Sequence, residues 1–116
     1  VELIKLCTSN LENVEIDVVT DLLANYAKKV GACVIVKGLR AVTDFEYEFQ
    51  MALANKKLNS EAETIFLTTS SENMYLSSSL VKQIASFGGD ISDFVPKEIN
   101  SLVTKRLHSN LSSQQI

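Results

Sequence analysis

The apolar residues of this chain alternate between segments with helical spacing and short continuous runs. At the start, apolar residues recur at helical spacing and predict the end of a helix that begins upstream: Leu3, Ile4, Leu6, Cys7 and Leu11. Residues 14–19, VEIDVV, alternate apolar and acidic positions and predict a strand. The next helix should be capped by Thr20 or Asp21 and ended by Gly31. Its apolar face comprises Leu22, Leu23, Tyr26, Ala27 and Val30.

Two later runs, CVIVK (33–37) and TIFLT (64–68), predict strands that are buried on both faces, as in a parallel sheet. Between them, a helix capped by Thr43 or Asp44 is expected to run to about Leu58. Its inward side chains should be Val42, Phe45, Phe49, Ala52 and Leu53.

A serine-rich bend then leads to a helix from about Ser78 to Phe87, and a last helix should begin near Pro96. The inward residues of the first of these helices should be Leu80, Val81, Ile84 and Phe87. This alternation of strands and helices predicts a right-handed α/β structure around a parallel sheet.

The composition agrees with one globular domain, since 46% of the 116 residues are hydrophobic, 22% are charged and the net charge is -3. We expect this domain over residues 1–108 and a polar tail over residues 109–116. The mild acidity gives no reason to expect a nucleic-acid partner. No apolar run approaches the roughly 20 residues of a membrane helix, so we expect no membrane partner. Cys33 should be a buried free thiol, and His108, the only histidine, should lie at the surface.

Candidate chemistry appears where the first apolar strand ends, in KGLR, residues 37–40. Ligands of open α/β sheets bind beyond the carboxyl ends of the strands. Gly38 would allow a sharp turn or the close approach of a ligand, and Lys37 and Arg40 supply positive charge for phosphate. An isolated K-G-x-R pattern more often marks a tight strand-to-helix turn with solvated cations, and that alternative stays open.

Acidic residues follow at once, and Asp44 and Glu48 share one side of the next helix because they are four residues apart. Glu48 lies beside the apolar stripe and is therefore the carboxylate better placed to face the sheet edge. It would serve either as a ligand contact or as an internal ion-pair partner of Arg40.

A second candidate anion site is NMYLSSSLVK, residues 73–82, in which three serines open a helix. The free backbone amides and the dipole of a helix start attract anions, and the hydroxyls would add donors. The alternative is simple capping by one of the serines. Because both segments follow strands of the predicted sheet, together they favour a nucleotide site.

The runs KGLRAVTDFEYEFQMALANKKLN and ETIFLTTSSENMYLSSSLVKQIASFGGDISDFVP closely resemble the bacterial phosphopantetheine adenylyltransferases, and the resemblance extends over about residues 1–107. It implies a Rossmann-like fold of the nucleotidyltransferase superfamily, here incomplete at its N-terminus. It also implies transfer of an adenylyl group from ATP to 4′-phosphopantetheine, which gives dephospho-coenzyme A and pyrophosphate. Mg²⁺, a cytoplasmic homo-hexamer and coenzyme A as a candidate feedback ligand are further implications.

The resemblance also assigns residues. Lys37 stands where the family has an arginine that binds phosphopantetheine, and Leu23 matches a pantetheine contact. Lysine keeps the charge of that arginine but loses its bidentate fork. The remaining matches are to ATP-binding positions: Gly38, Leu39, Arg40, Glu48, Asn73, Met74, Tyr75, Leu76, Ser77, Ser78 and Ser79.

The family's HxGH segment, which carries the catalytic residues, has no counterpart in this sequence, so we expect the catalytic residues upstream and this chain alone to be inactive. We also expect the chain alone to expose unpaired strand edges and to be unstable. Two other functions stay open: a nucleotidyltransferase with a different phosphorylated acceptor, and a non-catalytic nucleotide-binding or assembly module.

Overall fold

A computed structural model describes residues 1–112 of the chain. In order, the helices and strands are α1 (Glu2–Thr8), α2 (Leu23–Val30), β1 (Val34–Leu39), α3 (Val42–Leu58), β2 (Glu63–Thr68), α4 (Ser78–Ser86) and α5 (Lys97–Ser112). A short 3₁₀ turn, Ser71–Asn73, follows β2. The chain divides into two compact units: a first unit of Val1–Val18 with the described residues from Leu76 onward, and a second unit of Val19–Tyr75.

The second unit is built around two parallel strands joined by helix α3. Val34 of β1 lies opposite Glu63 of β2, and the register continues to Leu39 opposite Thr68. Both apolar runs therefore form strands, as predicted, and the predicted α/β class and parallel pairing are confirmed.

The sheet is covered less completely than the apolar runs predict. Ile35 is the buried strand residue, with 9% exposure, and faces the same side as Lys37 because side chains alternate along a strand. The opposite face is exposed and comprises Val34, Val36, Ile65 and Leu67. The prediction of burial on both faces is thus wrong for the described chain. Cys33, which was expected to be buried, is also exposed.

Residues 14–19 do not form the strand that their alternating pattern predicts. A strand is stable only when a neighbour satisfies its backbone groups, and among residues 1–112 the two strands pair only with each other. The segment is therefore irregular and mostly exposed, with Ile16 half-buried.

Helix α3 places its apolar residues differently from the prediction. Val42 is 78% exposed, and Phe49 and Leu53 are also exposed. The ring of Phe45 stacks on Phe49 and meets the ring of Phe66 in β2 edge-on, at a centroid distance of 5.9 Å. The covered side instead carries Asp44, Glu48, Ala52 and Asn55, of which only Ala52 was predicted to point inward. Docking of the helix on the sheet therefore selects a side that is largely polar.

The ends of the helices in the second unit correct two capping predictions. Leu22 and Ala41 are the N-cap residues of α2 and α3, so neither the Thr20 or Asp21 pair nor the Thr43 or Asp44 pair provides the N-cap. The backbone amide of Leu22 does donate to the carboxylate of Asp21. Gly31 ends α2, as predicted, in the left-handed conformation at φ 68°, and its amide donates to the carbonyls of Ala27 and Lys28.

The first unit contains α1, α4 and α5. The start of α4 at Ser78 is confirmed, and Leu80, Val81 and Ile84 are half-buried. Ala85 and Ile91 of the same unit are fully buried. Phe87, predicted to point inward, is 80% exposed because the helix ends there.

Helix α5 begins at Lys97, directly after Pro96, as predicted. It continues through Ser112, past residue 108, and residues 113–116 of the expected tail lie outside the described part. His108 is exposed, as expected. None of the helices within residues 1–112 has the length and apolar character that crossing a membrane requires.

A polar turn precedes α5. The backbone amide and the hydroxyl of Ser92 each donate to the carboxylate of Asp90, at 2.9 Å. These hydrogen bonds hold the pKa of Asp90 below its usual range, because they stabilise the ionised carboxylate; the bond from the Ser92 amide has the largest effect.

Candidate functional site

Two cavities of the second unit collect many of the residues to which the sequence assigns a site. The first, which we call the α2–α3 cavity, has a volume of about 110 Å³. It is lined by Leu23, Ile35, Lys37, Tyr47, Glu48, Met51, Ala52, Asn55 and Thr64. Leu23 and Lys37, the two predicted substrate-binding residues, therefore line the same space, although they come from α2 and β1.

The second, the strand-end cavity, lies where both strands end and has a volume of about 370 Å³. It is lined by Leu39, Arg40, Ala41, Val42, Phe45, Thr68, Thr69 and Met74. Three of these, Leu39, Arg40 and Met74, are predicted ATP-binding positions. Their convergence at the carboxyl ends of parallel strands is the placement that ligand sites in open α/β sheets share.

Lys37 and Glu48 form an ion pair inside the α2–α3 cavity, with the Lys37 Nζ atom 3.1 Å from Glu48 Oε2. The pairing follows from geometry, since Lys37 is near the end of β1 and Glu48 lies on the covered side of α3. Glu48 therefore faces the strand, as expected, but its partner is Lys37 and not Arg40.

Arg40 pairs instead with Asp44, one turn earlier on α3, and its Nε donates to Asp44 Oδ2 at 3.2 Å. The two cations of KGLR are thus matched by two carboxylates that are four residues apart on one helix side. The cations of KGLR are therefore not solely solvated, although the Lys37 and Arg40 side chains stay partly exposed.

Gly38 lies within β1 opposite Leu67 and has no positive φ angle. The sharp turn expected at this position is therefore absent, and the chain turns only after Leu39. Apart from its chain neighbours, a Cβ atom added at Gly38 would meet no atom of the described residues within 4 Å. The open space above this residue is compatible with the other expectation, the close approach of a ligand.

Asn55 is a candidate site residue that the sequence pattern did not indicate. Asn55 is only 8% exposed and lines the α2–α3 cavity with Glu48, seven residues earlier and on the same side of the helix. The seven-residue spacing between Glu48 and Asn55 could have indicated that the two side chains share one side of α3. This spacing was overlooked because the apolar stripe on another side of α3 predicted a different inward face.

The residues after β2 divide between the two units. Asn73, whose side-chain amide donates to the Ser70 hydroxyl at 3.1 Å, belongs to the second unit with Met74 and Tyr75. Tyr75 is exposed, while Leu76, the first residue to return to the first unit, is half-buried.

The serine segment opens α4, as predicted. Ser77 is the N-cap residue, and its hydroxyl accepts a hydrogen bond from the Leu80 amide at 3.2 Å. Ser78 and Ser79 are exposed, and neither of their backbone amides has a hydrogen-bond partner within residues 1–112. One serine therefore caps the helix, and the next two present free amides of the kind that bind anions.

No group of three or more histidine, cysteine, aspartate or glutamate side chains among the described residues could hold a metal ion.

Comparison with known proteins supports the resemblance found in the sequence. The model of the cytidylyltransferase-like family matches residues 1–84. A phosphopantetheine adenylyltransferase of Caldanaerobacter subterraneus subsp. tengcongensis is 60% identical over 107 residues, which cover 92% of this chain and 64% of that protein. Those of Clostridium perfringens strain ATCC 13124 and Alkaliphilus metalliredigens are 51% and 53% identical, over 94% and 91% of this chain and 66% and 68% of their own lengths. The chain thus spans less than two thirds of the first two relatives.

Proposed function

Because the chain belongs to the phosphopantetheine adenylyltransferase family, within the cytidylyltransferase-like proteins, we propose that its protein transfers an adenylyl group from ATP to 4′-phosphopantetheine. The products are dephospho-coenzyme A and pyrophosphate. The observation that carries the proposal is the α2–α3 cavity, in which Leu23 and Lys37 come together from different elements. An apolar wall beside one cation suits an acceptor that has a long neutral arm and a terminal phosphate.

In the proposed reaction, a phosphate oxygen of the acceptor attacks the α-phosphorus of ATP, and pyrophosphate leaves. No covalent enzyme intermediate is needed, so catalysis consists of positioning the two phosphates and stabilising negative charge. Lys37 would bind the acceptor phosphate. Arg40, at the strand-end cavity of the second unit, would bind a phosphate of the nucleotide. In the first unit, the free amides of Ser78 and Ser79 keep the anion-binding role that the resemblance assigns to these positions.

We include Mg²⁺ in the proposal as the cation that accompanies ATP. Proteins usually hold Mg²⁺ through one or two carboxylates, water and substrate phosphates, and the phosphates of ATP would supply such ligands here. Bound in this way, it would neutralise part of the phosphate charge.

The proposal also includes a cytoplasmic homo-hexamer and feedback by coenzyme A, both from the resemblance. Assembly would account for large apolar side chains that are exposed in the described chain, such as Val36, Val42 and Leu67. Large exposed apolar patches often mark protein interfaces.

The test is pyrophosphate release by the full-length protein with ATP and Mg²⁺. We expect turnover with 4′-phosphopantetheine and little with pantetheine, which lacks the attacking phosphate. Lys37→Met keeps an unbranched side chain that is one heavy atom shorter and removes its charge, and it should raise KM for the acceptor more than KM for ATP. Equal turnover with an unrelated phosphorylated acceptor such as glycerol 3-phosphate would point to a different member of the superfamily. Nucleotide binding without turnover on any acceptor would indicate a binding module.

A further inference from the structure

The cation that would bind the acceptor phosphate already holds an anion. Lys37 and Glu48 are 38% and 21% exposed, and the carboxylate of Glu48 has no hydrogen-bond or ion-pair partner other than Lys37 within residues 1–112. Both side chains line the α2–α3 cavity. The Lys37 ammonium is therefore neither fully solvated nor free.

A phosphate on Lys37 would lie close to the Glu48 carboxylate, because both anions would contact one small ammonium group. A phosphate monoester carries a charge of about -1.5 to -2 at pH 7, whereas a carboxylate carries -1. The cavity wall includes apolar side chains, such as Leu23, Ile35 and Met51, which screen charges less than water does. The phosphate would thus attract Lys37 more strongly than Glu48 does and would also repel Glu48.

We propose that Glu48 is a competing anion for Lys37, so that the phosphorylated acceptor binds by ion-pair exchange. This inference rests on the proposed function, because it takes the acceptor phosphate as the incoming anion. Glu48 is accordingly a positioning residue: it holds the ammonium at the cavity wall in the free protein and lowers the affinity of the cavity for anions.

The exchange has a consequence after the reaction. During transfer, one oxygen of the acceptor phosphate becomes the bridging oxygen of the new P–O–P bond, and the pyrophosphate of ATP leaves with its electron pair. The former acceptor phosphate then keeps a single ionised oxygen. Its attraction for Lys37 falls to about that of a carboxylate. Glu48 can then recover Lys37, and the reverse exchange favours release of the product.

The second ion pair supplies a matched control. Asp44 is on the same side of α3, one turn before Glu48, and pairs with Arg40 through a contact of similar length, 3.2 Å. Neither Asp44 nor Arg40 lines the α2–α3 cavity. Neutralising Asp44 removes the same charge from the same helix without releasing Lys37.

The experiment measures the binding of 4′-phosphopantetheine to the full-length protein by calorimetry, without ATP, and compares Glu48→Gln with Asp44→Asn. Glu48→Gln should tighten acceptor binding about two- to fivefold, the factor that corresponds to a partly exposed ion pair. The affinity for pantetheine, which has no phosphate, should not change. Asp44→Asn should leave the affinity for 4′-phosphopantetheine unchanged. In a Lys37→Met background, Glu48→Gln should have no further effect on acceptor binding.

Four results would overturn the exchange: acceptor binding that is unchanged or weaker in folded Glu48→Gln, equal tightening in Asp44→Asn, tightening of pantetheine, or tightening that persists in Lys37→Met. A measurement on the unmutated protein covers the case in which Glu48→Gln does not fold. The ¹³C carboxylate resonance of Glu48 should shift on addition of 4′-phosphopantetheine and not of pantetheine, and a resonance that does not move refutes the exchange. If the unmutated protein binds 4′-phosphopantetheine but the expected effects of Glu48→Gln and on the Glu48 resonance are missing, the ion-pair exchange is refuted and the proposed function still stands. If it does not bind that acceptor, the proposed function fails as well.

Discussion

The start of α4 allows helix capping to be separated from anion binding by substitution of three consecutive serines. Ser77 is the N-cap residue and its hydroxyl accepts from the Leu80 amide at 3.2 Å, whereas Ser78 and Ser79 are exposed. Ser77→Ala should therefore lower the free energy of unfolding by about 1 kcal/mol, the usual value of such a cap. Ser78→Ala and Ser79→Ala should change it by less than about 0.5 kcal/mol, as exposed substitutions usually do.

Nucleotide affinity should show the opposite order. If Ser78 and Ser79 donate to phosphates, the loss of either hydroxyl should weaken ATP binding by about two- to tenfold, which corresponds to one net hydrogen bond of about 0.5 to 1.5 kcal/mol. Ser77→Ala should affect ATP binding less than either, because it leaves the amides and hydroxyls of the next two residues in place.

Ser78→Asp gives the sharpest contrast, because its two effects have opposite signs. A carboxylate in the first turn interacts favourably with the helix dipole and should leave stability unchanged or raise it by about 0.3 to 1 kcal/mol. The same charge lies where phosphate is expected and should weaken ATP binding more than Ser78→Ala does.

Urea unfolding and calorimetric ATP titration of the full-length protein measure the two quantities on the same samples. Ser78→Asp with unchanged ATP affinity and an intact fold would refute phosphate binding at this helix start and leave the serines as an ordinary cap. Unchanged stability in Ser77→Ala would refute the capping role.

Three further predictions follow from other parts of the structure. Arg40→Ala should raise KM for ATP and lower kcat, while Lys37→Ala should act mainly on the acceptor; steady-state kinetics that show neither effect would place the site elsewhere. Gly31→Ala should lower the free energy of unfolding by about 1 kcal/mol, because an alanine at φ 68° is strained in the left-handed conformation. The added Cβ meets no described atom within 4 Å, so no steric clash adds to this cost, and an unchanged urea midpoint would contradict the prediction. Ser92 holds the pKa of Asp90 below its usual range. Ionised Asp90 therefore stabilises the fold at pH values above the pKa of an unfolded aspartate, and this contribution is lost as the pH falls through the lowered pKa. Asp90→Asn should therefore melt below the unmutated protein at pH 7, and the gap should close in acid; a gap independent of pH would rule out this linkage.

The parts of the fold that were predictable from sequence are those fixed by local chemistry. Gly31 ends α2 because glycine adopts the left-handed conformation readily, and α5 begins after Pro96 because proline suits a helix start. The parallel strands were also predictable, since continuous apolar runs separated by a long helix favour that arrangement.

The failures concern positions whose environment is set by non-local packing. Val42 and Leu53 belong to an apolar stripe, yet the side of α3 that docks on the sheet carries Glu48 and Asn55. An alternating pattern such as residues 14–19 requires a neighbouring strand to become one, and the sequence of the segment cannot supply that neighbour.

At the candidate site, the sequence selected side chains that line the two cavities but did not identify their ion-pair partners. The charge pattern and the resemblance selected Lys37, Arg40 and Glu48. Spacing along α3 did not distinguish Glu48 from Asp44 as the partner of Arg40, because both carboxylates share one side of the helix. The choice of partner is decided by the positions of Lys37 and Arg40 in space, and those positions depend on where β1 ends.

The connection between the two strands has a consequence for the order of folding. Every residue of β1 pairs with a residue that lies beyond the 17-residue helix α3, so no contact of this sheet can form by closing a short hairpin. The two strands can pair only after the ends of the long segment between them meet. The chain therefore loses conformational entropy on closing this segment before any hydrogen bond of the sheet forms. A helix that is already formed shortens the segment and carries Phe45 towards Phe66. We therefore expect the rate of sheet formation to depend on helix propensity within α3, far from any residue of the strands themselves.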